Sequence, residues 1–341
     1  MGHQLRAEPC LRAEPVSRPT ILCTAQLPEP AGSLLTREAQ LCVPATPPSY
    51  PELAELCASG SYDVVITQLR DRIDAPLLAR ANIKGIANYA VGYNNIDVAA
   101  ATSAGIQVAN TPGVLTDATA DIALLLILGT ARRVIEADAL VRTGGFTGWA
   151  PQLMLGSDVS GKVLGLAGFG RIARATARRA LAFGMRVIFA PRPPGDRVVG
   201  EQELGEFAGR VQQVSWEQLV ADSDFLSLHV PLTEQTRHLV DEAVLRAMKS
   251  SAILVNTARG PILQESALVR ALNEGWIAGA GLDVYEDEPA LAPGLAELPN
   301  TVLLPHVGSA TVEVRAEMAR LSALNALAMA RGNTPPHPVL P

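Results

Sequence analysis

Short runs of β-branched and apolar residues alternate with amphipathic stretches along most of the chain. Thr20–Ala25, Asp63–Thr67, Lys84–Ala87 and Ile106–Ala109 have the length and composition of strands. Between them, Asp74 ahead of Ala75–Ala81 reads as an N-cap and helix, and a helix over Ile96–Ala104 stops at Gly105. A second series of strands follows at Lys162–Ala167, Met185–Ala190, Asp224–Leu228, Ala252–Asn256, Ala278–Asp283 and Thr301–Leu304. Ser215 and Gln218 have capping-box spacing for a helix ending near Val220. Strands separated by helices predict parallel sheets covered on both faces, an α/β fold of two doubly wound, Rossmann-like domains.

Between the two series the pattern predicts one long helix, about Thr116 to Arg142. Its middle, Ile122–Leu128, is apolar on every face and is therefore expected to be buried all round, as an inter-domain spine and a subunit interface. A final helix over Ala310–Arg331 is long enough to return to the first domain.

The glycine-bearing segment that opens the second series changes the picture from architecture to chemistry. Val163–Ala173 ends an apolar strand and places Gly168, Gly170 and Ala173 at the spacing of a dinucleotide fingerprint. The first position allows a tight turn, the second lets a pyrophosphate approach the backbone, and the third lets the helix sit close on the strand. The helix Arg171–Phe183 would present its unpaired N–H groups and positive end to that pyrophosphate. About 20 residues on, where an NAD site carries an acid for the ribose, the chain has Pro191-Arg192-Pro193, and the nearest acid is Asp196. A carboxylate would repel a 2′-phosphate, whereas Arg192 can bind one through a charged fork; Pro191 offers it no N–H. NADP is therefore the expected cofactor, with NAD the alternative, and Arg192 as a solvated loop arginine is the bland reading.

The expected organisation is a tail over 1–19, a substrate domain from 20–110 and 305–341, and a nucleotide-binding domain over 111–304 inserted into it. The tail repeats the pentapeptide Leu-Arg-Ala-Glu-Pro and has no apolar core of a secretory leader.

Composition narrows the field further. The 341 residues suffice for two domains, and 48% apolar with 18% charged is an ordinary globular balance. A net charge of -6 argues against binding to nucleic acid, and 4% aromatics argues against base stacking. No apolar run approaches the ~20 residues of a membrane span. Cys10, Cys23, Cys42 and Cys57 lack metal-site spacing, so free thiols in a cytoplasmic protein, without a metal, are expected.

Three ionisable residues stand just beyond predicted strands: Arg259 in Asn-Thr-Ala-Arg-Gly, Glu288 after Gly-Leu-Asp-Val-Tyr, and His306 in Pro-His-Val-Gly-Ser. Ligands of open α/β sheets bind beyond carboxyl strand ends, so the three can converge on one crevice. Taken singly, each also fits a structural role: a hydrogen-bonded histidine, a solvated acid, an arginine paired with that acid. His3, His229, His238 and His337 compete with His306.

Two further strings carry a resemblance: Asn88-Tyr89-Ala90-Val91-Gly92-Tyr93-Asn94-Asn95-Ile96-Asp97 and Asn110–Asp121, which begins Asn-Thr-Pro-Gly-Val-Leu-Thr. With the glycine loop and the three segments above, in this order, the chain resembles the D-isomer-specific 2-hydroxyacid dehydrogenases over about Thr20 to Arg331. The likeness is greatest to the glyoxylate/hydroxypyruvate reductase branch. The resemblance implies reduction of a small 2-oxo acid to the D-2-hydroxy acid, in a homodimer, with substrate in a cleft between the two domains. By motif match Arg259, Glu288 and His306 would be catalytic. Arg259 would hold the substrate carboxylate and polarise its carbonyl. His306 would be the general acid, and Glu288 would favour its imidazolium form. Leu69 and the backbone N–H groups of Val91 and Gly92 would complete the substrate site. The implied cofactor contacts are Thr116, Gly168, Phe169, Gly170, Arg171, Ile172, Pro191, Arg192, Pro193, His229, Val230, Pro231, Thr236, Thr257, Ala258, Asp283 and Gly308. Relatives that oxidise phosphite, other 2-hydroxyacid dehydrogenases of the same fold, and cofactor-gated corepressors are the alternative readings; the corepressors usually carry a long extension, which is not expected here.

Overall fold

A computed structural model describes residues 18–193 and 197–340. The tail repeat, Cys10, His3 and Asp196 lie outside the described residues. The described residues divide into two compact units, 18–112 with 316–340, and 113–193 with 197–315. The segment 305–315, assigned from sequence to the substrate domain, falls with the second unit.

The first unit contains β1 (Thr20–Cys23), α1 (Ala31–Glu38), β2 (Gln40–Cys42), α2 (Tyr50–Ala58), β3 (Val64–Thr67), α3 (Ala75–Leu78), β4 (Gly85–Asn88), α4 (Val98–Ser103) and β5 (Gln107–Ala109). Its parallel sheet runs β2-β1-β3-β4-β5. Side-chain oxygens of Asp74 and Asp97 accept the Leu77 and Ala100 N–H groups, which starts α3 and α4 one residue later. The helix expected over Ala75–Ala81 stops at Leu78. Two helices and the edge strand β2 escape the sequence pattern, although Ser49 and Glu52 form a complete capping box at α2.

The second unit contains α5 (Thr116–Ala131), α6 (Val134–Arg142), β6 (Val163–Ala167), α7 (Arg171–Ala182), β7 (Arg186–Ala190), α8 (Glu201–Leu204), β8 (Val211–Gln213), α9 (Trp216–Asp222), β9 (Phe225–Leu228), α10 (Glu242–Ala247), β10 (Ile253–Asn256), α11 (Glu265–Asn273), β11 (Gly279–Leu282) and β12 (Thr301–Leu303). Its seven parallel strands run β12-β11-β10-β9-β6-β7-β8, so the order reverses between β6 and β9. α12 (Val312–Ala330) carries the chain from this unit back to the first. At α9 only half of the expected box forms: Ser215 caps the Gln218 N–H, while the Gln218 side chain donates to Asp222.

The single helix expected over Thr116–Arg142 is two. The Ala131 carbonyl, which a continuous helix would give to residue 135, instead accepts the Ser157 N–H at 2.8 Å. Gly156 makes this approach possible, because a Cβ there would lie 2.3 Å from the same oxygen. Arg133 then turns through the left-handed region with φ 53 before α6 begins. Nor is Ile122–Leu128 buried all round. Leu126 and Ile127 are fully buried in the unit's core, but Leu125 is 47% exposed.

Candidate active site

Parallel strands put their carboxyl ends on one rim of the sheet, and the sequence-selected residues of the second unit follow those ends. Gly168 follows β6, Arg192 follows β7, His229 follows β9, Arg259 follows β10, Asp283 follows β11 and His306 follows β12. The rim includes the switch point between β6 and β9, where doubly wound sheets bind ligands.

The glycine loop turns at Gly168 with φ 94, and a Cβ there would meet the His229 carbonyl oxygen at 2.8 Å. Only glycine serves this turn. Gly170 caps α7, and a Cβ added to it would meet nothing within 4 Å, which leaves open space over the helix N-terminus. Ala173 is fully buried, as close packing at the third position requires. Phe169 stacks on Phe189 with ring centroids 4.0 Å apart and lies under the Arg174 guanidinium at 4.6 Å, so the loop is held from below. Arg171 is exposed and Ile172 half-buried on the first turn of α7. Arg192 is exposed between half-buried Pro191 and buried Pro193.

Other cofactor candidates occupy neighbouring loops of the same unit. His229 hydrogen-bonds through Nε2 to Ser227 Oγ at 2.9 Å, and burial pushes its imidazole down to about 4. Val230 is buried and Pro231 exposed. Thr236 Oγ1 donates to the Pro231 carbonyl at 2.7 Å, closing that loop. Thr257 is 8% exposed, and its Oγ1 is buried without a hydrogen-bond partner among the described residues. Such an orphaned hydroxyl fits a site completed by a polar ligand. Ala258 beside it is half-buried. Thr116 is half-buried and donates its hydroxyl to the Gly113 carbonyl at 2.9 Å. Open backbone at Gly170, the fixed turn at Gly168 and the unpartnered Thr257 hydroxyl together fit a dinucleotide.

The three ionisable residues are held by different devices. Asn256 Nδ2 donates to the Arg259 carbonyl at 2.9 Å, while its Oδ1 accepts the Ala258 N–H at 3.0 Å, so β10 shapes the loop that carries the guanidinium. Burial lowers the pKa of Arg259, and the charge of Glu288 opposes that shift. His306 sits at φ 55, in the left-handed region that few residues other than glycine adopt. Asp283 imposes it: its two oxygens accept the Val307 and Gly308 N–H groups, both at 2.7 Å. Gly308 is tight against that carboxylate, and its carbonyl accepts the Thr119 hydroxyl at 3.1 Å. Burial raises the pKa of Asp283 against these hydrogen bonds. Tyr285 Oη donates to the Leu304 carbonyl at 2.8 Å and steadies the other side of the His306 loop.

His306 Nδ1 lies 2.9 Å from Glu288 Oε2, and Glu288 Oε1 accepts the Tyr285 N–H at 3.1 Å. Burial pushes the Glu288 carboxyl up, but His306, the Tyr285 N–H and Arg259 outweigh it and hold the carboxyl below its ordinary range. The carboxylate is therefore ionised at neutral pH and orients an imidazole whose Nε2 is left for other chemistry. Side-chain exposures of 31% for His306 and 38% for Glu288 leave the pair within reach of a ligand.

Of the competing histidines, His238 pairs with Glu286 at 2.5 Å, His229 is half-buried and bonded to Ser227, and His337 belongs to the first unit. In that unit Leu69 follows β3, and the turn after β4 carries Val91 and Gly92. Asn110 Nδ2 donates to the Val91 carbonyl at 2.7 Å, and Asn88 Nδ2 to the Gly92 carbonyl at 2.9 Å. Both carbonyls are thereby pinned, which sets the direction of the peptide planes. Neither asparagine was singled out by sequence reasoning, since an asparagine near a strand end reads as turn chemistry. No cluster of metal-binding side chains occurs among the described residues.

Residues 124–308 match the model of the D-isomer specific 2-hydroxyacid dehydrogenase NAD binding domain. A glyoxylate reductase of Thermococcus litoralis is 46% identical over 325 residues, 94% of this chain and 96% of that one. One from Aeropyrum pernix is 46% identical over 331 residues, with 94% and 96% covered. Among solved structures, a glyoxylate reductase from Paecilomyes thermophila is 35% identical with a TM-score of 0.83, over 95% of this chain and 98% of that one. An NADPH-dependent glyoxylate/hydroxypyruvate reductase from Sinorhizobium meliloti, solved with NADP and malonate, is 33% identical with a TM-score of 0.81, over 95% and 97%.

Proposed function

The chain belongs to the D-isomer-specific 2-hydroxyacid dehydrogenase family, and from that footing we propose that it reduces glyoxylate and hydroxypyruvate with a preference for NADPH. It is an NAD(P)-dependent D-2-hydroxyacid dehydrogenase. The single observation that carries the mechanism is the hydrogen bond of His306 to Glu288 on the rim that also bears Arg259 and the glycine loop.

When bound, the nicotinamide supplies a hydride to the carbonyl carbon of the 2-oxo acid. Arg259 binds the substrate carboxylate and polarises the carbonyl, for which its planar, permanently charged fork is suited. In the first unit, Val91 and Gly92 bind carboxylate through backbone N–H groups, and Leu69 contributes apolar contact. His306 delivers a proton from Nε2 to the carbonyl oxygen, so the alkoxide never stands alone. Glu288 holds the imidazole by Nδ1 and stabilises its charged form. Asp283 sets the His306 loop by its two backbone hydrogen bonds.

NADPH preference rests on Arg192, exposed just beyond β7, where an NAD site would carry an acid. Homodimerisation is part of the same reading, and the exposed Leu125 of α5, Val134 and Ile135 of α6 and Phe183 just after α7 support it. The direct test is turnover of glyoxylate, hydroxypyruvate and pyruvate, each with NADPH and NADH, followed at the nicotinamide absorbance. Rapid reduction of the first two with NADPH is expected. Turnover with NADH alone would overturn the cofactor preference, and no turnover with any pair would overturn the substrate assignment.

A further inference from the structure

Beside the His306–Glu288 pair lies a second group of ionisable side chains that the mechanism does not use. Glu265, the first residue of α11, is 2% exposed, and the hydrogen bonds of its carboxylate among the described residues come from backbone N–H groups. Burial pushes its carboxyl up, and Glu286 and Asp287 add like charge. An acid in such a place is costly unless its oxygens meet donors that would otherwise be stranded. They do. One oxygen accepts the Glu286 N–H, and the other accepts the Ala292 N–H at 3.2 Å.

Those two N–H groups stand on either side of Glu288. One buried carboxylate therefore ties down both stems of the loop whose middle carries the partner of His306. The clasp is reciprocal, because Glu286 Oε2 accepts the Glu265 N–H at 3.2 Å while Glu286 Oε1 meets His238 Nε2 at 2.5 Å. The backbone before α11 joins in: a Cβ on Gly260 would fall 1.8 Å from the Tyr285 carbonyl, so the Arg259 loop lies directly against the stem of the Glu288 loop. The backbone N–H of His238 in turn donates to the Pro261 carbonyl at 2.8 Å.

We propose that Glu265 is a positioning residue for catalysis, clasping the loop of residues 286–292 so that Glu288 stays in register with His306. It touches no reacting atom and acts only through Glu288. The proposal rests on the reading of Glu288 and His306 as the acid–base pair.

The test is a double-mutant cycle in steady-state glyoxylate reduction. Glu265→Ala should lower kcat about tenfold, the scale of a small misplacement of a catalytic group, with KM for glyoxylate changed less than about twofold. In a Glu288→Gln background the same substitution should lower kcat less than about twofold, because the group it positions is already disabled. Glu265→Gln keeps one acceptor oxygen but turns an NH2 toward the other N–H, so it should show a smaller loss with the same non-additivity, and it carries the cycle if the alanine variant does not fold. Full kcat in both Glu265 variants, or an equal loss in both backgrounds, would overturn the proposal. Wild-type turnover in Glu288→Gln alone would instead overturn the acid–base reading and this inference with it, so the two failures are distinguishable.

Discussion

At the scale of single residues, the chemistry assigned here depends on side chains held by named partners. Asparagine at position 306 preserves size but cannot deliver a proton. His306→Asn should therefore lower kcat by a factor of about 10² to 10⁴ while binding of NADPH, measured by fluorescence titration, stays near normal. Arg192→Ala should raise KM for NADPH far more than KM for NADH; equal increases would count against a 2′-phosphate contact. His229 makes a different prediction, about stability. Its imidazole titrates at about 4 in the fold against 6.5 ordinarily, so the unfolded chain binds more protons between those values. Its contribution is complete above pH 6.5 and declines as pH falls toward 4, by up to about 3 kcal/mol. Denaturant midpoints at pH 7 and pH 5 should converge in His229→Asn relative to the unaltered protein.

At the scale of elements, the strand-to-loop junctions do most of the positioning. Gly260 allows the loop after β10 to lie on the backbone at Tyr285, where a methyl group has no room. Gly260→Ala should cost several-fold in kcat/KM together with thermal stability, because the loop bearing Arg259 must move. The sequence marked Arg259 and overlooked Gly260, since a glycine after an arginine signals a turn but not what comes up against it. The long helix expected over Thr116–Arg142 failed for a related reason. Composition permits helix throughout, but Ser157, distant in sequence, takes the Ala131 carbonyl and ends α5. Edge strands β2 and β8 were missed because three partly exposed residues carry little periodicity.

At the scale of the whole molecule, α5 bears on the proposed dimer. One face, with Leu126 and Ile127, packs into the core of its unit, and Arg179 of α7 ties to Asp121 at 2.5 Å. On α5 Leu125 is left exposed, as is Phe183 just after α7. On the proposed dimer, Leu125→Glu combined with Phe183→Glu should halve the mass seen by sedimentation, and an unchanged mass would place the interface elsewhere.

What the sequence determined by itself was everything written in local patterns. Alternating strand and helix periods specify two parallel α/β sheets, Gly168, Gly170 and Ala173 specify a nucleotide-binding turn, and residues just past strand ends mark the rim. What only the tertiary structure decided were the relations between segments far apart in the chain. The placing of Glu288 against His306, the clasp of Glu265 on 286–292, the hold of Asn88 and Asn110 on Val91–Gly92, and the break at Arg133 are all of this kind. The physical reason is the same in each: a hydrogen bond or close approach between distant residues leaves no period in the sequence, because either partner alone is an ordinary polar or small residue.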